Sequence, residues 1–284
     1  MAVGYNTYAN ISSFVNTIWE DALLVARDSS LAPAIVTGFG DRQGMAVRTL
    51  SEYGTVTVNS VGESDDLVSQ VFSPTAGSSL TPAEYGAQFL LTDQRLESDP
   101  FNLQRDAVLE LGGGFAEAVD TNIFSKFTSL TGGTVGAAGS TMTWAYFNAA
   151  VARLRQRKVP MNGLVAVMHP YHWNDLAAAA STAASADTNA PEWLRSELAR
   201  NYFVSRHSGV SIFVSPYVGT NSTDAYFAVF HPMALALDVR RGFRIERERD
   251  ASRRAWELNA SQIYAYGVWR PTWGIQGIAD ATAP

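Results

Sequence analysis

The sequence predicts an α+β fold: a long helix and a mixed α/β section, bracketed by extended segments with little core of their own. Three observations carry this. Val108, Leu111, Phe115, Val119, Ile123 and Phe127 recur at spacings of three and four, which marks one face of a long amphipathic helix. From Ala34 to Ser79 the chain is rich in Gly, Ser, Thr, Val and Asp, with alternation in Thr55-Val56-Thr57-Val58, the pattern of an extended hairpin. Near the C-terminus Phe243 to Arg249 alternates and Trp256 to Trp269 is aromatic-rich, so two long strands return around a charged turn, Asp250 to Arg254.

Residues 1–35 read as an irregular arm with one short helix near Ile18 to Arg27. The hairpin that follows is too long to stand without support, and lies either on its own domain or on another chain. Residues 81–95 form a long strand leaving it. Asp99-Pro100 then opens the long helix, with Asp99 as N-cap and Pro100 at the first helical position. Carried to Phe127, that helix is roughly 40 Å long. Gly112, Gly113 and Gly114 fall in its middle and predict a bend or a flexible point.

Residues 131–141 are a loop. A second helix places Trp144, Phe147, Val151 and Leu154 on one face and ends in Arg153, Arg155, Arg157 and Lys158, cations that suit a helix C-terminus, before Pro160 stops it. A buried strand (Leu164 to Met168) and two helices opened by Pro170 and Pro191, the second running to Phe203, come next. Strands at Val210 to Val214 and Tyr226 to Phe230 complete a mixed α/β section over roughly 130–235. The returning C-terminal hairpin is expected to pair with the strand at 81–95, beside the long helix.

Hydrophobic residues make up 46% and charged residues 17% of the chain, values of a soluble globular protein that hides part of its surface against neighbours. There is no cysteine, which excludes disulfides, thiolate metal sites and cysteine nucleophiles. The N-terminus has no signal-peptide pattern and no apolar run nears the ~20 residues of a membrane span, so a soluble protein made in a cytoplasm is expected. Net charge is −6, unevenly spread: residues 1–99 hold twelve acids against four bases, and the remainder fifteen against seventeen. Nineteen of the 21 basic residues are arginine, which suits fixed multidentate contacts at interfaces; a codon bias explains it equally well.

No catalytic constellation stands out. His169 and His172 are spaced i, i+3 with Asp175 a further three residues on, but no well-placed set completes a metal site; they read as packing and capping residues. His207 and His231 are isolated. The Thr131–Gly136 glycine loop lacks the Gly-Lys-Ser/Thr of a phosphate loop, and Gly112–Gly114 does not follow a strand. The arginines near 153–158 and 240–254 are interleaved with acids in a chain of pI about 5.2. They suit non-specific contact with nucleic acid rather than sequence reading. Neither cofactor nor metal is expected.

The order of elements, with LTPAEYGAQFLLTDQRLESDPFNLQRDAVLELGGGFAEAVDTNIF (Leu80–Phe124) and WELNASQIYAYGVWRPTWGIQGIAD (Trp256–Asp280), resembles the major capsid proteins of tailed bacteriophages. Their fold is the Johnson fold, or HK-ninety-seven type. The resemblance implies an N-arm at 1–35, an E-loop at 36–80, a peripheral domain with the spine helix at 81–128 and 236–284, and an axial domain at 129–235. It implies a non-enzymatic subunit that forms the hexamers and pentamers of an icosahedral shell, assembled in a host bacterial cytoplasm around double-stranded DNA and ending in the virion. A portal protein and cement or decoration proteins are further expected partners, and no membrane is.

Some relatives weld the shell from an E-loop lysine; residues 36–98 contain none, so no crosslink of that type is expected. The arm starts almost at Met1, which leaves no room for a fused scaffolding domain and implies a separate scaffolding protein. Glu52, Glu63, Asp65 and Asp66 of the E-loop are candidates to meet Arg244, Arg247, Arg249, Arg253 and Arg254 of a neighbour. The rival is local neutralisation of those arginines by Glu246, Glu248 and Asp250. Gly112, Gly113 and Gly114 are the candidate hinge of the spine helix. Alternatives to the phage shell are an encapsulin nanocompartment shell and, from another class, a cytosolic α/β enzyme.

Overall fold

The computed structural model describes residues 30–41, 43–53, 56–64, 66–67, 69–97, 103–186 and 203–283. The expected helix at Ile18–Arg27, the Asp99-Pro100 helix start, Asp65 and all of the Pro191 helix except its named end lie outside these residues. That end, Phe203, is the first residue of a strand.

Two sheets share one long element. The first has the order β1 (Thr37–Phe39), β11 (Leu235–Asp250), β12 (Ala255–Val268), β4 (Ala83–Thr92). β1 runs parallel to β11, and the other pairs are antiparallel. The returning hairpin does pair with the strand at 81–95, from Ala255↔Thr92 to Tyr264↔Ala83. The second sheet runs β5 (Thr134–Gly136), β13 (Gly274–Asp280), β10 (Asp224–Phe230), β6 (Val165–Met168), β8 (Val210–Val214), β7 (Phe203–His207), with β9 (Thr220–Asn221) beside β10. A separate pair, β2 (Arg48–Tyr53) and β3 (Pro74–Leu80), projects from the first sheet.

Gly274–Asp280 departs from the expected organisation. It was grouped with the hairpin strands but hydrogen-bonds with β10 across seven residue pairs and with β5. The 3-10 turn Pro271–Trp273 breaks the chain after Val268 and turns it into the second sheet. Gly277 lets the two strands close, since a Cβ there would meet the Phe227 ring at 2.2 Å.

The long helix, α3 (Leu103–Phe124), follows two short ones, α1 (Ala32–Ile35) and α2 (Asp93–Glu97). Its 22 residues span roughly 33 Å. Val108, Leu111 and Phe115 pack on Phe243, Ile245 and Leu258 of the hairpin strands, with Phe115 and Phe243 edge to face at 4.9 Å. Its other end enters a second cluster, where Ile123, Phe124 and Phe127 meet Leu235, Leu237, Tyr264 and Phe230. α3 is therefore clamped at both ends by the same two strands, and it runs unbroken as a helix through Gly112–Gly114. Phe127 belongs to a 3-10 turn, Ser125–Ser129, that tightens the end.

A third core fills the α/β section. α4 (Trp144–Gln156) buries Phe147, Ala150, Val151 and Leu154 against Ala166, Met168, Val229 and Ile275, and α5 (Pro170–Ala186) adds Leu176 and His172. Arg153 and Arg157 at the end of α4 donate to the carbonyls of Thr134 and Gly132, so they hold the glycine loop in place. Fully buried Asp120 on α3 fixes the chain entering from the N-terminal side. It accepts from Ser30 Oγ at 2.6 Å and from the Leu31 and Ala32 amides at 2.9 Å each.

Candidate assembly surface

The β2–β3 hairpin stands on the first sheet through a small apolar contact and a buried ionic cluster. Leu50 and Leu80 pack on Ala236 and Ala265, with Phe39 and Trp269 alongside. Beside them the Oδ2 atom of Asp238, a residue with no exposed surface, accepts from Arg48 Nε at 2.7 Å and pairs with Arg240 Nη2 at 2.9 Å. Arg48 also pairs with Asp41, and Arg240 Nη2 donates to the Ala46 carbonyl at 2.9 Å. The Arg48 guanidinium lies 4.6 Å from the centre of the Phe39 ring. Two arginines and two carboxylates cancel, which is the condition for keeping a charge out of water. Burial by itself lowers the Arg48 pKa, but hydrogen bonds to Asp238 and Asp41 outweigh it and hold it above its ordinary value.

Beyond Tyr53 the hairpin leaves its own chain. Strand pairing ends at Tyr53↔Pro74, with Tyr53 stacked on Phe72 at 4.7 Å. Further out the Gln70 side-chain amide takes the place of a partner strand. It accepts from the Thr57 amide at 3.0 Å and donates to the Thr57 carbonyl at 2.5 Å. The apolar residues there are in water: Val58 is 91% exposed, Leu67 82% and Val71 92%. Of thirteen exposed large hydrophobic residues described in the chain, nine lie between Met45 and Phe72.

The predicted acidic and basic partners are not brought together within one chain. Glu52 sits on β2, and Glu63 and Asp66 lie far out on the hairpin. The arginines cluster at the other end of the sheet and have local partners. Arg244 pairs with Glu246 at 2.5 Å, Arg253 with Asp250 at 3.5 Å, and Arg249 forks onto Asp93 at 2.5 and 2.6 Å. The Arg247 guanidinium lies 3.7 Å over the Trp256 ring. Arg254, at a φ of 50°, closes the turn, and its carbonyl accepts from the Asp93 amide at 3.0 Å. Hydrogen bonding to Arg249 holds the Asp93 carboxyl below its ordinary pKa. Of the candidate hinge, Gly113 and Gly114 have open space where a Cβ would project.

Burial lowers the pKa of all four histidines. His172 is the deepest, with Nε2 3.1 Å from the Ala279 carbonyl. Among the described residues no group of three or more His, Asp or Glu could hold a metal, and no helix is long and apolar enough to cross a membrane.

A subunit whose two sheets and long helix are well packed, yet which carries a long hairpin of uncovered apolar side chains, has the form of a shell-building block. Comparison with known proteins agrees. Residues 76–276 match the phage capsid protein family, and the chain belongs to that family. It is a phage major capsid protein, a structural component of the virion that self-assembles into a shell, and not an enzyme. Its fold is of the HK-ninety-seven type. It is similar to a solved structure from Mycobacterium phage Che8, with 20% identity, a TM-score of 0.71, and coverage of 87% of this chain and 90% of that one. The capsid of cyanophage P-SCSP1u is similar at 14% identity and a TM-score of 0.69, covering 89% of each chain. A virus-like particle from Pyrococcus furiosus shares the fold at 8% identity and a TM-score of 0.64, covering 93% of this chain and 98% of that one. No curated protein matches the sequence.

Two predictions follow from the buried groups. Asp238→Ala leaves Arg240 buried without its carboxylate, and urea unfolding of dissociated subunits should show a loss of about 3–5 kcal/mol; a loss below about 1 kcal/mol contradicts the cluster's role. The histidines, depressed below their ordinary 6.5, take up protons on unfolding that the folded chain does not hold. Stability is therefore complete above about pH 6.5 and falls as the pH drops below it. Melting temperature should decline between roughly pH 7 and 5, and less so in His172→Gln; a flat profile in the parent chain contradicts this.

Proposed function

We propose that this chain forms the hexamers and pentamers of an icosahedral shell enclosing double-stranded DNA, held together without covalent crosslinks. The observation that carries the reading is the hairpin beyond Tyr53, whose valines, Leu67 and Phe72 are exposed in the single chain. Each such side chain is worth roughly 1.5–3 kcal/mol when fully covered, and a neighbouring subunit is the surface present at equal number in a shell. Folding of the hairpin is thereby linked to assembly by mass action. In the terms of the fold, residues 36–80 act as the E-loop, the first sheet with α3 as the peripheral domain, and the second sheet as the axial domain, to which sheet pairing adds Gly274–Asp280.

Residues 36–98 offer no lysine for an isopeptide bond, so contact between subunits is non-covalent, with cement proteins as possible reinforcement. A scaffolding protein and a portal are the further partners proposed, and packaged DNA is met non-specifically by arginines of the inner surface. The loop carboxylates Glu52, Glu63 and Asp66 serve at subunit contacts, where arginines such as Arg249 exchange or share their local partners. Gly112–Gly114 act as the flexible point of α3 during any expansion of the shell.

Electron microscopy and light scattering of the purified protein, with scaffold co-expressed, should reveal closed shells of megadalton mass. A chain that stays at 30.8 kDa or forms only a small oligomer contradicts the proposal. Boiled in detergent, the same shells should run as a single subunit band; a ladder would disprove the uncrosslinked state. Gly113→Ala meets no steric obstacle, and should stabilise the helix by about 0.5–1 kcal/mol while slowing expansion. Unchanged assembly and expansion would remove the hinge role.

A further inference from the structure

We infer that the outer edge of β4 is a docking strand for the hairpin of a second copy of this chain, which adds to the first sheet as a fifth strand. The inference rests on the shell reading above and names the surface that receives the hairpin.

β4 ends the order of its sheet, paired with β12 on one side; among the described residues no strand lies on the other. It is ten residues long and eight of them are exposed. Phe89 and Leu90 point to opposite faces of the sheet, and both are exposed. A free edge of this length is a template for pairing with other chains, and soluble proteins blunt such edges with lysine, proline, bulges or a very short strand. β4, AEYGAQFLLT, carries none of these protections; Glu84 is its single charge, and that is taken by Arg241. Its pairing with β12 keeps one register over all ten residues. The edge is built to be covered.

On one face the strand is also the wall of an apolar groove. Tyr85, Ala87 and Phe89 stand opposite Leu111, Phe115 and Ala118 of α3 across a cavity of about 340 Å³. Burial of the phenol, with Tyr266 and Tyr264 close by, pushes the Tyr85 pKa up to about 12. Tyr85 is thus neutral and suited to lie under an apolar partner.

The hairpin supplies what the edge lacks. Beyond Tyr53↔Pro74 its described residues belong to no strand, and the Gln70 clasp satisfies one residue, Thr57. Val58 and Val71 are over nine-tenths exposed. From Tyr53 to Glu63 the arm spans ten residues, about 33 Å when extended, the same reach as β4. One unpaired edge and one unpaired apolar arm of equal length on the same chain complete each other in a repeating assembly. A heterologous contact of this kind propagates around a ring.

The sequence has no cysteine, so engineered thiols give an unambiguous test. Subunits carrying Val58→Cys or Val71→Cys are co-assembled with subunits carrying Gln88→Cys or Leu90→Cys, then oxidised. At least one hairpin–β4 pairing should give a disulfide-linked dimer in shells, about tenfold above a pairing of the hairpin variants with Tyr171→Cys, and none once the shells are dissociated. Shells that form normally yet give no such dimer in any of the four pairings overturn the inference and leave shell assembly standing. Failure of the unmodified chain to form shells overturns the underlying reading instead. Amide exchange on unmodified protein serves where a variant does not assemble: β4 amides should exchange about tenfold more slowly in shells than in free subunits, and equal rates overturn the inference.

Discussion

A single buried carboxylate sets the geometry on which the rest depends. Asp238 sits where β11 passes under the foot of the hairpin, and it binds Arg48 of the hairpin and Arg240 of its own strand. Burying that charge is tolerable only while both guanidiniums are in place, so the cluster fixes the hairpin's direction as well as its attachment. Asp41 and the Ala46 carbonyl extend the same grip to the chain leading into the hairpin. A purely apolar foot of Leu50 and Leu80 on Ala236 and Ala265 would hold the hairpin with less angular precision, because dispersion contacts are non-directional. A shell needs every subunit to present its arm at one angle.

The division of labour within the chain follows. The α/β section is a conventional closed core, with Phe147, Leu154, Ala166, Val229 and Ile275 fully buried. The first sheet is half a core: α3 covers one face, and β4 is left largely in water. The hairpin has almost no core. Self-sufficiency thus declines from the second sheet outward, and the parts that lack partners inside the chain are those placed to find them on a neighbour. Acquiring the fold in stages lets a subunit be soluble and folded before assembly and gain its remaining stability from assembly.

Much of this was legible in the sequence because it rests on periodicity. The spacing of Val108, Leu111, Phe115 and Val119 gave α3, and alternation from Phe243 gave the outer half of β11. The inner half was not legible. Leu235 to Asp238 is buried on both faces, so no alternation marks it and the strand begins eight residues earlier than its pattern. The assignment of Gly274–Asp280 to the second sheet was equally invisible, because strand pairing over long separations leaves no local trace. Asp238 was overlooked as a charge between apolar neighbours, ALALDVRR, although a lone acid inside an apolar run is the signal such a cluster leaves. The arginine-rich turn was seen, but Arg249's partner, Asp93, comes from 156 residues away through the pairing of β4 with β12.

The most direct test of a shell built through its uncovered hairpin is to remove that hairpin and keep its foot. Residues 56–71 are replaced by a short Asn-Gly turn joining β2 to β3, which spares Arg48, Leu50, Leu80 and the Asp238 cluster. Sedimentation and circular dichroism should then find a folded, soluble single subunit with near-parental melting temperature and no closed particles under conditions where the parent chain assembles. Closed shells of parental size from the shortened chain would contradict the central claim.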